Sequence, residues 1–485
     1  MQSFDSHPAL AELRHLAREA RAVRIAARAA NNAAPDRGPD HDQAHLAELR
    51  RDLATIEARR DEILRDVQVA QLYGRALDDR ATTLRVAVQM FQREQRAQAL
   101  RDRADAATAR AIREHRLLTS REQARAAELR EAADYLETQS PAIDVAARRD
   151  AVLAAVGALR LREARTQMRE GLLRTQQMRG IIAEATPAVL RGDPILLLGE
   201  TGGAKTALAE HLARHASGRE PELVSGYGDI TSAQLIGSHE LRVEHGATVT
   251  SFAPGPLLRA MIEGRPVILD EVNAMPAEFL KRLNRILQLR PGDTLHVQEN
   301  AGAPVLIAPG FAILATANEQ TPHRYRGLDR LSAELVNRFG AGSYRVHYPD
   351  ATNRYEDYPR ENALLAAAAI VDARGQLPPH LPEEALTRAA RAAFISQQVF
   401  AGAHGEGFGN YVSTERDIDG RPGLEETVLA PRTLVAIMHK VAASAGSITL
   451  DHALSRFVEG VMHAEDRRVL ALIISGQGFR IGQGL

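Results

Sequence analysis

The chain has 485 residues, 45% hydrophobic and 25% charged, enough for two to four domains with apolar cores. Its formal net charge of -1 gives no whole-chain attraction to nucleic acid or anionic membrane, and the absence of cysteine excludes disulfides, thiolate metal sites and cysteine nucleophiles. No apolar stretch reaches the ~18 residues of a membrane span, and the start MQSFDSHPALAELR lacks the basic and apolar regions of a secretion signal, so a cytoplasmic protein is expected.

Residues 8 to about 188 are rich in Ala, Arg, Glu and Gln and nearly free of glycine, which predicts helix throughout. Apolar residues recur at Leu46, Leu49, Leu53 and Ile56, then Ile63 and Val67, and later Leu77, Leu84, Val88 and Phe91. This spacing of three and four predicts a coiled coil or long helical hairpin. Breaks are expected at NNAAPDRGPDHD, residues 31 to 42, and at Ser140-Pro141, an N-cap followed by a first helical position, leaving three main helices. The mixed charge of the helix faces fits a solvated spacer or oligomerisation arm, with partner recognition as the alternative. Acidic residues interleave with the arginines except in residues 160 to 179, which disfavours nucleic-acid binding. Near residues 186 to 189 the texture changes to short apolar runs alternating with helical segments, as in an α/β domain.

The first such run, PILLL, leads into Gly199, Glu200, Thr201, Gly202, Gly203, Ala204, Lys205 and Thr206, and then into the helical ALAEHLARHA. Strand, glycine-rich loop and helix N-terminus are the three parts of a phosphate cradle, close to the pattern G-x-x-x-x-G-K-[ST]. Lys205 would meet the β- and γ-phosphates, and the Thr206 hydroxyl would ligate Mg²⁺. Ala204 replaces the second glycine, and its methyl group is tolerable if its φ is negative. Lysine otherwise occurs only at Lys281 and Lys440 in a chain full of arginine, a hint that arginine does not serve at position 205.

LRVEHGATVTSF then alternates around His245-Gly246, and TLHVQENAGAPVLIAP around Asn300-Ala301-Gly302, predicting two β-hairpins. Between them Val267, Ile268 and Leu269 run into Asp270 and Glu271. Asp270 would hold the magnesium through its waters and Glu271 would orient or deprotonate the attacking water; alternatively the pair caps a helix beginning near Pro276. A third apolar run, FAILATANE, ends in Asn318, either a turn residue or an amide reaching the γ-phosphate or the water.

These three strands in this order resemble the AAA+ ATPases, with Walker A at GETGGAKT, Walker B at VILDE and sensor 1 at Asn318. Within that superfamily, SFAPGPLLRAMIEGRPVILDEVNAMP resembles the MoxR-like and dynein-related, midasin-like branch, in which alanine also precedes the loop lysine. The resemblance implies an α/β P-loop NTPase core with a helical lid, preceded by an all-α, coiled-coil-like region. The implied division is 1–174 helical, 175–348 nucleotide-binding and 349–485 lid with a loop insertion and tail. In LSAELVNRFG it implies that Arg338 is an arginine finger reaching a neighbour's γ-phosphate, with Arg330 as a second candidate and a surface ion pair as the plain alternative. In LAPRTLVAIMHK it implies that Arg432 is the sensor 2 arginine, the alternative being a packing role in the lid helix. The hairpins either contact pore and substrate or decorate the ring face.

His239, His245, His296, His323 and His347 have no metal-ligand spacing and read as surface or packing residues. The stretch AGAHGEGFGNYVSTERDIDGRPGLEE is longer than an ordinary connection and is expected to be mobile or to contact a partner, and IISGQGFRIGQGL to be a flexible tail. Three functions are open to such a chain. The first is a Mg²⁺-dependent ATPase working as a homo-oligomeric ring, expected to be a hexamer, that remodels a protein client, with a von Willebrand factor A partner suggested by MoxR-like relatives. The second is a motor directed by nucleic acid, disfavoured by the neutral net charge. The third is a coiled-coil scaffold gated by nucleotide with little turnover.

Overall fold

The computed structural model describes residues 8–32, 39–113, 116–138, 149–244, 247–318, 331–405 and 407–482. Ser140-Pro141, the His245-Gly246 turn, His323 and Arg330 lie outside the described residues. The chain divides into two compact units, one drawn from Met1–Met90 and Ser140–Val156, the other from Phe91–Gln139 and Gly157–Leu485.

In the first unit α1 (Pro8–Asn32) and α2 (Pro39–Ile63) pair side by side. Arg24 meets Glu57 at 2.7 Å and Arg59 meets Glu12 at 2.9 Å, both in solvent and therefore weak. A small apolar cluster joins Leu10 and Leu13 of α1 to Val69, just past the end of α2, with Ile63, Leu64, Leu72 and Tyr73 against it. α3 (Val67–Arg113) restarts the helix after Ile63 because the Asp66 carboxylate accepts from the backbone N–H groups of Gln68 and Val69, at 2.9 and 3.3 Å.

Caps divide the next helices as well. Thr119 and Glu122 form a capping box, the carboxylate accepting from Thr119 N at 2.9 Å and the hydroxyl from Glu122 N at 3.3 Å, and open α4 (Ser120–Thr138). α5 (Arg149–Arg169) stops just before Gly171, whose φ is +100°, and α6 (Gln176–Leu190) begins at an N-cap formed by Thr175. Among the described residues six helices therefore stand where three main ones were expected, since single Asp, Thr and Gly residues break helices without a Gly/Pro-rich stretch. The expected leucine seam is also revised. Val67, Leu77 and Leu84 are largely exposed, whereas Val86, Ala87, Ala97 and Ala104 are buried, so the covered face of α3 is built mainly of alanine. The change of composition at residues 186–189 falls inside α6, where Pro187 is accommodated and the Thr186 hydroxyl donates to the Ile182 carbonyl at 2.6 Å.

In the second unit, a five-stranded parallel sheet forms from β1 (Ile195–Gly199), β2 (Glu222–Ser225), β5 (Val267–Asp270), β8 (Ile313–Asn318) and β9 (Ser343–Val346), in the order β2-β5-β8-β1-β9. Between the strands lie α7 (Lys205–Ser217), α8 (Ser232–Ile236), α9 (Pro256–Glu263), α10 (Ala277–Ile286) and α11 (Ala333–Phe339). The strands read as unbroken apolar runs because both sheet faces are covered. Alternation sends Ile195, Leu197, Ile268 and Leu314 towards Leu208 and Leu212 of α7, and Leu196, Leu269, Ile313 and Ala315 towards Leu257 of α9 and Phe279 and Leu283 of α10. Both expected hairpins are present, β3 (Gly237–Glu244) with β4 (Ala247–Pro254) and β6 (Thr294–Val297) with β7 (Ala303–Leu306). Leu241 and Val243 are exposed on the first.

The C-terminal helices are α12 (Arg360–Ile370), α13 (Glu383–Phe400), α14 (Thr414–Ile418), α15 (Pro431–Ala443), α16 (Leu450–Glu459) and α17 (Ala464–Gly476), around a core that includes Phe394, Ile395, Leu434, Met438, Leu454 and Leu470. The stretch before α15, expected to be mobile or partner-contacting, is pinned to them. The fully buried Asp466 carboxylate accepts from Glu426 N at 2.7 Å, Thr427 N at 3.0 Å and the guanidinium of buried Arg416 at 3.3 Å. The tail is likewise docked through residue 482: Phe479 is buried beneath the Arg388 guanidinium, and Arg480 N donates to Asp451 at 2.6 Å. Among the described residues no helix is long and apolar enough to cross a membrane.

Candidate active site

Register alone brings three of the sequence motifs together. Gly199 at the end of β1 pairs with Asn318 at the end of β8, and β5, which ends in Asp270, is the other neighbour of β8. The carboxyl ends of adjacent parallel strands, where strand order reverses, are where such sheets hold ligands.

The loop after β1 turns through Gly202, φ +74°, and Ala204, φ +63° and ψ +26°. Ala204 is thus left-handed, so the condition of a negative φ, under which its methyl group was tolerable, is not met. The conformation costs an L-residue roughly 1–2 kcal/mol, and here it aims the start of α7 into the site. No side chain caps that helix end, so its first N–H groups and dipole face the cavity, as phosphate recognition requires.

Lys205 is buried. Its Nζ donates to the carbonyls of Gly199 and Glu200 at 3.0 and 2.8 Å and to Asn318 Oδ1 at 3.0 Å. Burial pushes its ammonium down to about 8, against the upward pull of the Glu200, Asp270 and Glu271 carboxylates, and Arg432 adds to the lowering. The Thr206 hydroxyl donates to Asp270 Oδ1 at 2.7 Å. A hydroxyl and a carboxylate converging in this way are hard oxygen donors, the donor chemistry that Mg²⁺ takes. Glu271 comes next in a left-handed conformation, φ +54° and ψ +49°, with its side chain exposed towards the cavity it lines.

That cavity holds about 400 Å³. Its polar wall is formed by Thr201 to Thr206, Asp270, Glu271 and Asn318, and Arg432 enters from the first turn of α15. Its apolar wall includes Met168, Leu172, Leu173, Met178, Leu365 and Val435. Arg338 is elsewhere. It lies in the last turn of α11, exposed, 3.4 Å from Glu334, in a second recess that it shares with Arg191, Asp193 and Arg290.

Sequence reasoning missed three contributors. Thr316 donates to Asp270 Oδ1 at 2.6 Å and accepts from Glu271 N at 3.0 Å. Tyr348, just past β9, donates its phenol to the Thr201 carbonyl at 2.7 Å and packs on Phe400 of α13. The apolar wall comes partly from the helical region before β1, where nothing in the residue pattern distinguishes a cavity lining from a core face. For Thr316 a signal existed: it is the one hydroxyl in the buried run ILATAN, two residues from Asn318 and so on the same side of the strand.

Residues 194–339 match the family model described as the AAA domain, dynein-related subfamily. Among curated proteins, the chain is 31% identical over 159 residues to the uncharacterized protein YojN of Bacillus subtilis, covering 33% of this chain and 50% of that one. It is 32% identical over 169 residues to midasin of Giardia intestinalis, covering 34% and 3%, and 29% identical over 198 residues to the uncharacterized protein YehL of Escherichia coli, covering 40% and 51%. The chain thus spans about half the length of the two bacterial relatives. A crystal structure of NtrX from Brucella abortus in complex with ATP aligns over 71% of this chain and 76% of its own, at 17% identity and a TM-score of 0.30.

Proposed function

We propose that the chain, whose residues 194–339 are an AAA ATPase domain of the dynein-related subfamily, is a Mg²⁺-dependent ATPase that works as a ring and remodels a protein client. The observation that carries this is the convergence of two hydrogen-bonded pairs, Lys205 with Asn318 and Thr206 with Asp270, at adjacent strand ends on one cavity of about 400 Å³. We take residues 1–174 as a helical arm for assembly or client capture, 175–348 as the nucleotide-binding core and 349–485 as its lid.

The N–H groups of residues 199 to 206 and the α7 dipole receive the β- and γ-phosphates. Lys205 exchanges its Gly199 and Glu200 carbonyl partners for phosphate oxygens. Thr206 and Asp270 would hold Mg²⁺, which would neutralise charge on those oxygens. Glu271 takes a proton from the attacking water, and Asn318 keeps that water and the γ-phosphate in line. The apolar wall accepts the base. Arg432 reads the phosphates from the lid, and Arg338, on a different face, completes the site of a neighbouring copy. The β3–β4 hairpin, with exposed Leu241 and Val243, offers an apolar contact to a client.

The ring reading is tested by mixing two inactive variants. Lys205→Ala lacks the cradle and Arg338→Ala lacks the finger, and each alone should lose ATP turnover by about 10³-fold. Mixed, they should recover a substantial fraction, because an Arg338 from one copy completes an intact site in the next. Mixtures as inactive as the single variants would contradict an arginine supplied in trans.

A further inference from the structure

We propose that Thr316 is a positioning residue for hydrolysis, which holds the backbone of Glu271 in the one conformation that points its carboxylate at the attacking water. The inference rests on the reading of Glu271 as the base and adds a residue to it.

The Thr316 side chain is buried in β8, the middle strand of the sheet, and its hydroxyl has one proton to give. That proton goes to Asp270 Oδ1 at 2.6 Å, and the oxygen accepts the Glu271 N–H at 3.0 Å. The same Oδ1 takes the Thr206 hydroxyl at 2.7 Å. Were Thr206 to ligate a metal ion it would give up that bond, and Thr316 would be left to orient Asp270.

Glu271 needs such a tether. It occupies φ +54°, ψ +49°, a region that a residue with a side chain leaves unless its surroundings hold it there. The opposite neighbour, β2, supplies the second restraint. Gly226 N donates to the Asp270 carbonyl at 2.7 Å, and a Cβ at position 226 would collide with the Glu271 carbonyl oxygen. The backbone around Glu271 is therefore gripped from both adjacent strands, by a hydroxyl on one side and by a glycine on the other. Neither Thr316 nor Gly226 belongs to the 199–206 loop or bonds to it directly, so losing one grip should affect chemistry more than binding.

Thr316→Val keeps the shape and removes both hydrogen bonds. Steady-state turnover should show kcat lowered by about 10²-fold, the cost of misplacing a catalytic group by an ångström or so, while KM and the Kd for a fluorescent ATP analogue stay within about threefold. Thr316→Ser, which restores the hydroxyl, should return kcat to within about fivefold of wild type. Gly226→Ala, acting from the other strand, should reproduce the selective loss of kcat and serves if the valine variant does not fold. Glu271→Gln is the control for the underlying reading: if it turns over as fast as wild type, Glu271 is not the base and that reading falls. If Glu271→Gln is inactive but Thr316→Val retains kcat, or loses nucleotide affinity as much as kcat, or is not rescued by serine, the positioning role is overturned.

Discussion

A buried ammonium held by carbonyl and amide oxygens is poised to take up charge with its ligand, and Lys205 is in that state. Two of its partners are backbone carbonyls and the third a side-chain amide, so burial prevails and its pKa falls to about 8 from an ordinary value of 10.5. In the unliganded protein the folded state therefore binds fewer protons at this group than the unfolded chain between those values, and Lys205 favours folding more as pH rises through that window. For nucleotide the sign is opposite. Polyphosphate restores the proton, so ATP affinity should fall as pH rises above about 8, and binding at about pH 8.5 should take up a proton. Calorimetry at that pH in two buffers of different ionisation enthalpy would show the uptake as a difference in heat; equal heats would mean that Lys205 is already charged. At this scale the loop and the two carboxylates were legible because their chemistry demands fixed residue types at fixed spacing. Thr316 was legible only as a lone hydroxyl on the Asn318 side of its strand, and Tyr348 not at all, since a hydroxyl or phenol acquires its role only from the strand or loop that faces it.

Among the elements, the segment before α15 looks unstructured in composition, yet its polar residues close on a buried charge. Asp466 satisfies three successive N–H groups, of Glu425, Glu426 and Thr427, together with Arg416, and Glu465 meets the same guanidinium at 3.0 Å. Removing one partner of a buried pair leaves the other uncompensated, at about 3–5 kcal/mol. Asp466→Ala should accordingly lower the melting temperature and open residues 401–430 to limited proteolysis; an unchanged melt would mean that the apolar contacts of α13 and α17 suffice. Such a network escapes sequence reading because Arg416 and Asp466 are 50 positions apart. The extra breaks in the helical region escaped for the contrary reason, being too local: Asp66, Thr119 and Thr175 each cap a helix without a change in composition. The sheet, in contrast, was readable because apolar runs of four to six residues between helical stretches have few solutions other than buried parallel strands.

On the scale of the whole molecule, strand order does the assembling. With β8 between β5 and β1, the lysine loop, the carboxylate pair and Asn318 meet although 119 positions separate Gly199 from Asn318 in the chain. The C-terminal helices add Arg432 and part of the apolar wall, while Arg338 lies in a separate recess, away from its own site. A molecule built this way is expected to bind nucleotide alone and to hydrolyse it with a neighbour. That Lys205 and Glu271 belong to one hydrolytic site is tested most directly by identifying the nucleotide retained after incubation with Mg²⁺ and ATP and removal of free ligand. Wild type should retain ADP and Glu271→Gln should retain ATP. ADP on the variant would remove Glu271 from the chemistry, and no nucleotide on either protein would contradict the site itself.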